Sequence, residues 1–86
     1  MNYTVTWQPF ALNRLAELWM AAADRNAVAE ASDRIDAVLA DNPLTAGEGR
    51  DGNERILFDR PLAVGFRVDQ GNRTVAVFTV SRAGRG

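Results

Sequence analysis

The chain has 86 residues and a formal net charge of −1, and it contains no cysteine, histidine or lysine. A chain this short forms one domain, because a second domain could not bury enough apolar surface, so we predict a single domain over residues 1–86. The missing residue types exclude disulfides, cysteine nucleophiles, histidine-dependent triads, the usual zinc sites and lysine-dependent phosphate loops.

The chain begins with a predicted strand and a predicted helix. Apolar side chains alternate with threonines in the strand, at Tyr3, Val5 and Trp7. Pro9 then suits the first turn of a helix, where its missing N–H would have no partner. We predict this helix over residues 9–22, with a buried stripe at Leu12, Leu15, Trp19 and Ala22 and with Leu18 beside it. Both tryptophans are interpreted as core residues.

A second helix follows after a short link, so the two helices are expected to form an antiparallel hairpin. Asp24 or Asn26 can cap its first turn. Its apolar stripe is Val28, Ala31, Ile35, Val38 and Leu39. The segment "DNPL" ends the helix, because the residue before a proline avoids the helical region. The acidic positions are interpreted as a solvated face: Glu17, Asp24, Glu30, Asp33 and Asp36.

The second half of the chain predicts a loop and three strands. The loop "LTAGEGRDGN" covers residues 44–53, and the strands cover residues 54–58, 62–69 and 73–81. A tight turn, "DQGN", joins the last two strands. In "TVAVFTV", simple alternation puts Val75 and Val77 on one side and Ala76, Phe78 and Val80 on the other. Since both sides are apolar, we place this strand inside the sheet. Residues 81–86 are predicted to be a flexible tail.

The predicted element order is β-α-α-β-β-β. This order gives an α+β fold, in which a two-helix hairpin packs on one face of a mainly antiparallel four-stranded sheet. Residues 1–41 carry a charge of −3 and residues 42–86 carry +2, which indicates either two faces with different roles or an ordinary solvated surface. The first residues lack the pattern of a signal peptide, and no apolar run approaches the roughly 20 residues that span a bilayer. A cytoplasmic protein without membrane contact is therefore expected.

The remaining polar residues restrict the possible chemistry to carboxylates and guanidinium groups. Arginine cannot act as a general base, because its pKa lies above about 12. Proton abstraction would therefore fall to Asp or Glu, and stabilisation of anionic charge to Arg or the backbone. This combination is typical of phosphate chemistry or phosphate binding, and equally of a surface network of ion pairs. No cofactor and no metal site are predicted.

Four segments carry a family resemblance: "YTVTWQPFALNRLAELW", "IDAVLADNPL", "ERILFDRPLAVGFRVD" and "TVAVFTVSR". With the element order, they make the chain resemble the RelE/ParE superfamily over nearly its whole length. These proteins are the toxins of bacterial type II toxin–antitoxin pairs, including plasmid stabilisation systems. The resemblance implies a toxin that a cognate antitoxin neutralises in a hetero-oligomer. One branch of the superfamily cleaves mRNA on the ribosome, and another poisons DNA gyrase. The implied target is therefore either the ribosome with its mRNA or DNA gyrase.

The resemblance also implies site residues. Arg55, Arg82 and Glu48 are the candidate catalytic residues by their positions in the strands and in the loop. Arg60, Arg67 and Arg85 are candidates for binding phosphate or the antitoxin. Where the cleaving branch often has His-Arg, this chain has Arg60-Pro61, and its tail lacks His, Tyr and Lys. Whether the chain is an enzyme stays open on these grounds.

Two functions therefore remain open. The missing tail base and a pI of about 5.2 favour a gyrase-type toxin, or a ribonuclease that has lost activity, over an active ribonuclease. The alternative is a non-catalytic, toxin-like module that only binds a partner protein. In either case we expect the hairpin arginines to form one cationic patch on the uncovered face of the sheet. Surface roles are the competing interpretation, such as an ion pair between Glu48 and Arg50 or protection of a strand edge by Arg55.

Overall fold

Two helices and five strands make up residues 2–83, which are the residues that the computed structural model describes. The elements are β1 Thr4–Trp7, α1 Pro9–Ala21, α2 Arg25–Asp41, β2 Glu48–Gly49, β3 Glu54–Asp59, β4 Leu62–Asp69 and β5 Thr74–Arg82. Neither helix in this part of the chain is long and apolar enough to cross a membrane. The predicted helices and the four predicted strands are confirmed, with ends that differ by at most one residue.

The sheet has the strand order β1-β5-β4-β3-β2. Strands β1 and β5 are parallel, and the other neighbouring pairs are antiparallel. The α+β class and the internal position of β5 are thus confirmed, whereas the predicted count of four strands is wrong. The fifth strand is β2, in which Glu48 and Gly49 pair with Ile56 and Arg55. A two-residue strand carries no hydrophobic periodicity, so it left no signal in the sequence.

The last strand extends into the predicted tail. Arg82 pairs with Leu62 of β4, and the Ala83 N–H donates to the Pro61 carbonyl oxygen at 2.9 Å. Residues 81 and 82 are therefore part of β5, because they pair with the first two residues of β4. Residues 84–86 of the predicted tail lie outside the described residues.

A β-bulge in β5 changes which of its side chains face the helices. Phe66 pairs with Val77 and Gly65 pairs with Thr79, so Phe78 is an extra residue on β5. The extra residue reverses the alternation that follows it, as bulges do. Val80 is consequently buried in the same core cluster as Val77, and its predicted position on the side of Phe78 is wrong.

One hydrophobic core lies between the helix hairpin and one face of the sheet. Its central residues include Ile35 and Leu39 of α2 and Val64 and Phe66 of β4. The predicted α2 stripe is confirmed except at Val38, which is 40% exposed, whereas the α1 stripe is partly displaced, since Leu12 (51%) and Trp19 (42%) are exposed. Leu15 and Ala22 pack against the core as predicted, together with Leu18 and the buried Ala11. The interpretation of Trp19 as a core residue is therefore wrong.

Polar contacts cap the first turn of α2 and hold this helix against β1. Asp24 caps α2, because its Oδ1 accepts the Ala27 N–H at 3.0 Å, and this confirms one of the two predicted caps. Trp7 of β1 packs against the core, and its Nε1 donates to Asp36 Oδ1 of α2 at 2.9 Å. Asp36 therefore links helix to strand as well as facing solvent. The Tyr3 N–H donates to the Ala40 carbonyl oxygen at 2.8 Å, so α2 also contacts the chain at the start of β1.

The turn between β4 and β5 is organised by one carboxylate. Asp69 Oδ2 accepts from the Asn72 side-chain amide at 2.9 Å, and Oδ1 accepts from the Asn72 backbone N–H at 3.1 Å. These two hydrogen bonds, the side-chain bond first, lower the pKa of Asp69 below its ordinary value. They stabilise the charged form of the carboxylate more than the neutral form.

We expect this turn to give the protein an acid-sensitive contribution to stability. Because the folded pKa of Asp69 lies below the unfolded value of about 3.9, the contribution is present above that value and is lost as pH falls through the folded pKa. Asn72→Ala should raise the pKa of Asp69 toward its ordinary value and reduce this pH dependence. A carbon-detected NMR titration of the carboxylate measures the change, with Gln70→Ala in the same turn as the control. An unaltered Asp69 pKa in Asn72→Ala would contradict this account.

Candidate functional site

The strand register sorts the candidate arginines onto two faces of the sheet. Paired residues of neighbouring strands project to the same side. Arg55 pairs with Phe66, and Arg82 pairs with Leu62, so both arginines project from the face that carries the core. Arg67 projects from the opposite, open face. The predicted single patch of hairpin arginines on the open face is therefore wrong.

Arg55 is held by the loop that precedes β2. Its Nε donates to the Ala46 carbonyl oxygen at 2.9 Å, and its Nη2 donates to the Gly47 carbonyl oxygen at 3.1 Å. Arg55 is partly buried, and so is its hydrogen bond to Ala46. A guanidinium in this position fastens the loop to β3. A catalytic role for Arg55 stays a prediction, and it would require the side chain to bind substrate with its remaining N–H groups.

Glu48 does not meet Arg55. It pairs with Ile56, one position from the pairing of Gly49 with Arg55, so the two side chains project from opposite faces. Glu48 Oε1 lies 3.7 Å from Arg50 Nη1, and both side chains are exposed, which confirms the simple ion pair that the sequence suggests. The two candidate catalytic groups therefore do not form an acid–base pair.

We expect Arg55→Met to lower stability by about 1–3 kcal/mol, because it removes two charge-assisted hydrogen bonds to loop carbonyls. Arg67→Met is the matched control and should cost about 1 kcal/mol or less, because its ion pair with Glu54 is half exposed. Urea unfolding of both variants measures the difference. Equal losses in the two variants would mean that the contacts of Arg55 with the loop contribute little.

Arg67 lies on the open face beside an aromatic ring. Its Nη2 and Nε donate to Glu54 Oε2 at 2.9 and 3.2 Å, and its guanidinium carbon lies 4.3 Å from the centre of the Phe78 ring. The charge of Arg67 is thus neutralised by Glu54. Phe58 projects from the same face and is 56% exposed. The described part of the open face combines these apolar side chains with the Arg67–Glu54 ion pair, and Glu48, paired with Arg50, projects from the same face at β2.

Arg60 and Arg82 line a cleft of about 280 Å³ at the end of the molecule where the helices are linked. Arg60 belongs to the β3–β4 turn and Arg82 is the last residue of β5. Leu18, Ala22 and Leu62 supply apolar lining between the helices and the sheet. The remaining candidate, Arg85, lies outside the described residues.

Sequence reasoning missed the contact that fixes the β3–β4 turn. Arg34 of α2 donates to Asp59 at the end of β3, with Nη2 to Oδ1 at 2.8 Å and Nε to both oxygens. This hydrogen bonding raises the pKa of Arg34. Arg34 Nη2 also donates to the Arg60 carbonyl oxygen at 3.3 Å. Nothing in the sequence indicated this pair, because the partners are 25 residues apart and meet only when α2 crosses the sheet. Within residues 2–83, no acidic cluster is placed to hold a metal ion.

Known proteins resemble the chain in structure rather than in sequence. No protein-family model matches it, and no curated protein sequence matches it significantly. A chain of the RelBE2 toxin–antitoxin complex from Mycobacterium tuberculosis matches with a TM-score of 0.79 and 20% identity, over 96% of this chain and 100% of that chain. The chromosomal ParDE system from P. aeruginosa matches with a TM-score of 0.67 and 18% identity, over 95% and 97%. The isolated E. coli RelE toxin matches with a TM-score of 0.68 and 17% identity, over 98% and 87%.

These matches cover nearly the whole chain, and they define its class as an α+β protein with a helix hairpin packed on a mixed sheet. The particular fold is that of the RelE/ParE toxins, and the fold implied by the resemblance in sequence is thereby confirmed.

Proposed function

We propose that this protein is the toxin of a type II toxin–antitoxin pair and that it acts by binding a protein target of the DNA gyrase class rather than by cleaving mRNA. The fold supports the toxin assignment, since the similar structures include toxins and toxin–antitoxin systems. A cognate antitoxin is the proposed partner, and a hetero-oligomer in the cytoplasm is the proposed form. The distance between the candidate catalytic groups Arg55, Glu48 and Arg82 supports a gyrase-type target over mRNA cleavage.

Cleavage of RNA by its own 2′-hydroxyl needs a base and cationic groups that act on one phosphate. Arg55 and Glu48 project from opposite faces of the sheet. Arg55 and Arg82 pair with residues four positions apart on β4, which corresponds to about 13 Å along the strand. With Arg55 also bound to the loop carbonyl oxygens, this separation argues against convergence of the three groups on one phosphate. The geometry therefore favours a function that does not depend on their cooperation.

The open face has the composition of a protein-binding surface. Aromatic residues and arginine are enriched in protein interfaces, whereas docking on RNA needs a cation for each phosphate contact. Phe58 is more than half exposed, and Phe78 carries the guanidinium of Arg67 over its ring. Glu54 neutralises this arginine. We infer that the open face, centred on Phe58 and Phe78, contacts the protein target.

A gyrase supercoiling assay with the purified chain, run beside a cell-free translation assay in which mRNA 5′ ends are mapped, tests the proposal. We expect inhibition of supercoiling and intact mRNA. Phe58→Ala should weaken the inhibition, whereas Phe10→Ala, which removes an exposed ring from α1, should not. New mRNA ends in ribosomal A-site codons, lost in Arg82→Ala, would contradict the proposal and establish ribosome-dependent cleavage.

The second candidate is a toxin-like module that binds an antitoxin without being toxic. The same separation of Arg55, Glu48 and Arg82 favours it, because a binding module needs no converging catalytic groups. Unaffected cell growth and negative results in both assays, with retained binding to an antitoxin encoded nearby, would support this candidate instead.

A further inference from the structure

The cleft beside Arg60 and Arg82 has no role in the proposed function. It lies between the link of the two helices, the β3–β4 turn and the end of β5. Leu18 and Ala22 of the helical side face the buried Leu62 across it. The two arginines lie at its polar side. An apolar cleft with two cations at one side has the character of a small-molecule site.

Hydrogen bonds fix the walls of the cleft on three sides. Asp24 caps the first turn of α2 by accepting the Ala27 N–H at 3.0 Å. Arg34 holds the β3–β4 turn through Asp59 and through the Arg60 carbonyl oxygen. The Ala83 N–H donates to the Pro61 carbonyl oxygen at 2.9 Å, which fixes the end of β5 to the same turn. The cleft is therefore formed before any ligand arrives, which reduces the entropy cost of binding.

The hydrogen bonds that fix the walls of the cleft do not involve the guanidinium groups of Arg60 and Arg82, so these two groups are available to bind a ligand. Within residues 2–83, neither the Arg60 nor the Arg82 side chain has a hydrogen-bond or ion-pair partner. The carboxylate of Asp59 is occupied by Arg34, and that of Asp24 by the first turn of α2. Two positive charges thus line the cleft together with one negative charge, which leaves it with a net positive charge.

We propose that this cleft is a binding site for a small amphipathic monocarboxylate. The carboxylate accepts hydrogen bonds from Arg60 and Arg82, since a guanidinium matches the geometry of a carboxylate. The apolar body of the ligand lies against Leu18, Ala22 and Leu62. The volume of about 280 Å³ has room for roughly ten non-hydrogen atoms, at about 30 Å³ for each water-sized group.

The backbone around the cleft favours a compact ligand over an extended peptide. A peptide that binds as an added strand needs free backbone N–H and C=O groups at a sheet edge. Here the Arg60 carbonyl oxygen accepts from Arg34, and the Pro61 carbonyl oxygen accepts from Ala83. Pro61 has no N–H to offer. This site goes beyond the proposed toxin function and does not depend on it.

The test is a titration of the full chain with octanoate, followed by nitrogen–proton correlation NMR. We expect saturable shifts concentrated at the amides of Ala23, Ala27, Leu62 and Ala83, which line the cleft. Octanol lacks the charge and acetate lacks the apolar body, so each should bind at least about tenfold more weakly. Shifts that do not saturate or that spread over the surface, or equal binding of octanol, would overturn the proposal.

Variants identify the groups responsible. Arg60→Gln and Arg82→Gln should each weaken octanoate binding about tenfold by removing a charge-assisted hydrogen bond, whereas Arg50→Gln on the β2 loop should leave it unchanged. Ala23→Leu should weaken binding by filling the apolar part, with both arginines intact. Unchanged affinity in both Gln variants would refute the site. Binding of the acetylated peptide amide Ac-Leu-Glu-NH2 without binding of octanoate would also refute it and would assign the cleft to a protein partner.

Discussion

Alanine at position 47 is expected to destabilise the protein by about 3 kcal/mol or more. Gly47 has a φ of +64°, a conformation that costs a residue with a side chain about 1–2 kcal/mol. A Cβ there would also overlap the carbonyl oxygen of Ile56 and lie 2.8 Å from its carbonyl carbon. Both atoms belong to the backbone of β3, so relief requires the loop to move away from the sheet. Such movement would also displace the carbonyl oxygen that accepts a hydrogen bond from Arg55.

The matched control is Gly52→Ala. Gly52 has nearly the same φ, +63°, but a Cβ there would have no neighbour within 4 Å. The control should therefore cost only the conformational term of about 1–2 kcal/mol. Urea unfolding of the two variants separates backbone strain from the clash with β3. Equal losses would mean that the loop adapts and that its contact with β3 is not needed for folding.

The second large effect is expected for Phe66→Ala. Phe66 is fully buried at the centre of the core, on β4 between β3 and β5. Removing its ring should cost about 3–5 kcal/mol, through lost burial and the cavity left behind. For a domain of this size the loss is a large part of the total stability. The variant should therefore be mostly unfolded near physiological temperature, as measured by circular dichroism during heating.

Phe10→Ala is the control for this substitution, because Phe10 is 67% exposed on α1. It should change stability by about 0.5 kcal/mol or less. A comparable loss in both variants would indicate that the outer face of α1 is covered in solution. The pair also serves as a control for the functional assays, because any loss of effect in Phe66→Ala would result from unfolding and not from the loss of a binding surface.

The arginines lie in different structural environments, so the effects of their substitutions have different causes. Arg55 holds a loop, Arg67 stacks on Phe78 and pairs with Glu54, and Arg60 and Arg82 line a cleft at the opposite end of β4 from Glu54. A variant that combines alanine substitutions of these residues would therefore lose a structural contact and alter two separate surfaces at once, so its phenotype could not be assigned to one of them. Single variants, each with a control of similar exposure, are needed to assign a function to any of them.

The sequence by itself determined the kinds and order of the main elements. Period-2 alternation in β1, helical spacing in α1 and α2, and the turn residues of "DQGN" act over a few neighbouring residues, so they can be read without the fold. The apolar character of β5 on both sides was likewise enough to place it inside the sheet. The short β2 was not predictable, because its two residues become a strand only by pairing with Ile56 and Arg55.

Only the tertiary structure decided which candidate groups lie together. Alternation continued through β5 without interruption would put Arg82 on the open face, whereas the bulge at Phe78 turns it and Val80 to the side of the helices. The position of the bulge depends on the register between β4 and β5, and the Arg34–Asp59 contact depends on α2 crossing near the end of β3. Both are long-range pairings between segments that are distant in the chain. Local patterns locate the elements, but register and packing decide which side chains meet, and here they separate Arg55 from Glu48 and place Arg60 and Arg82 in the lining of one cleft.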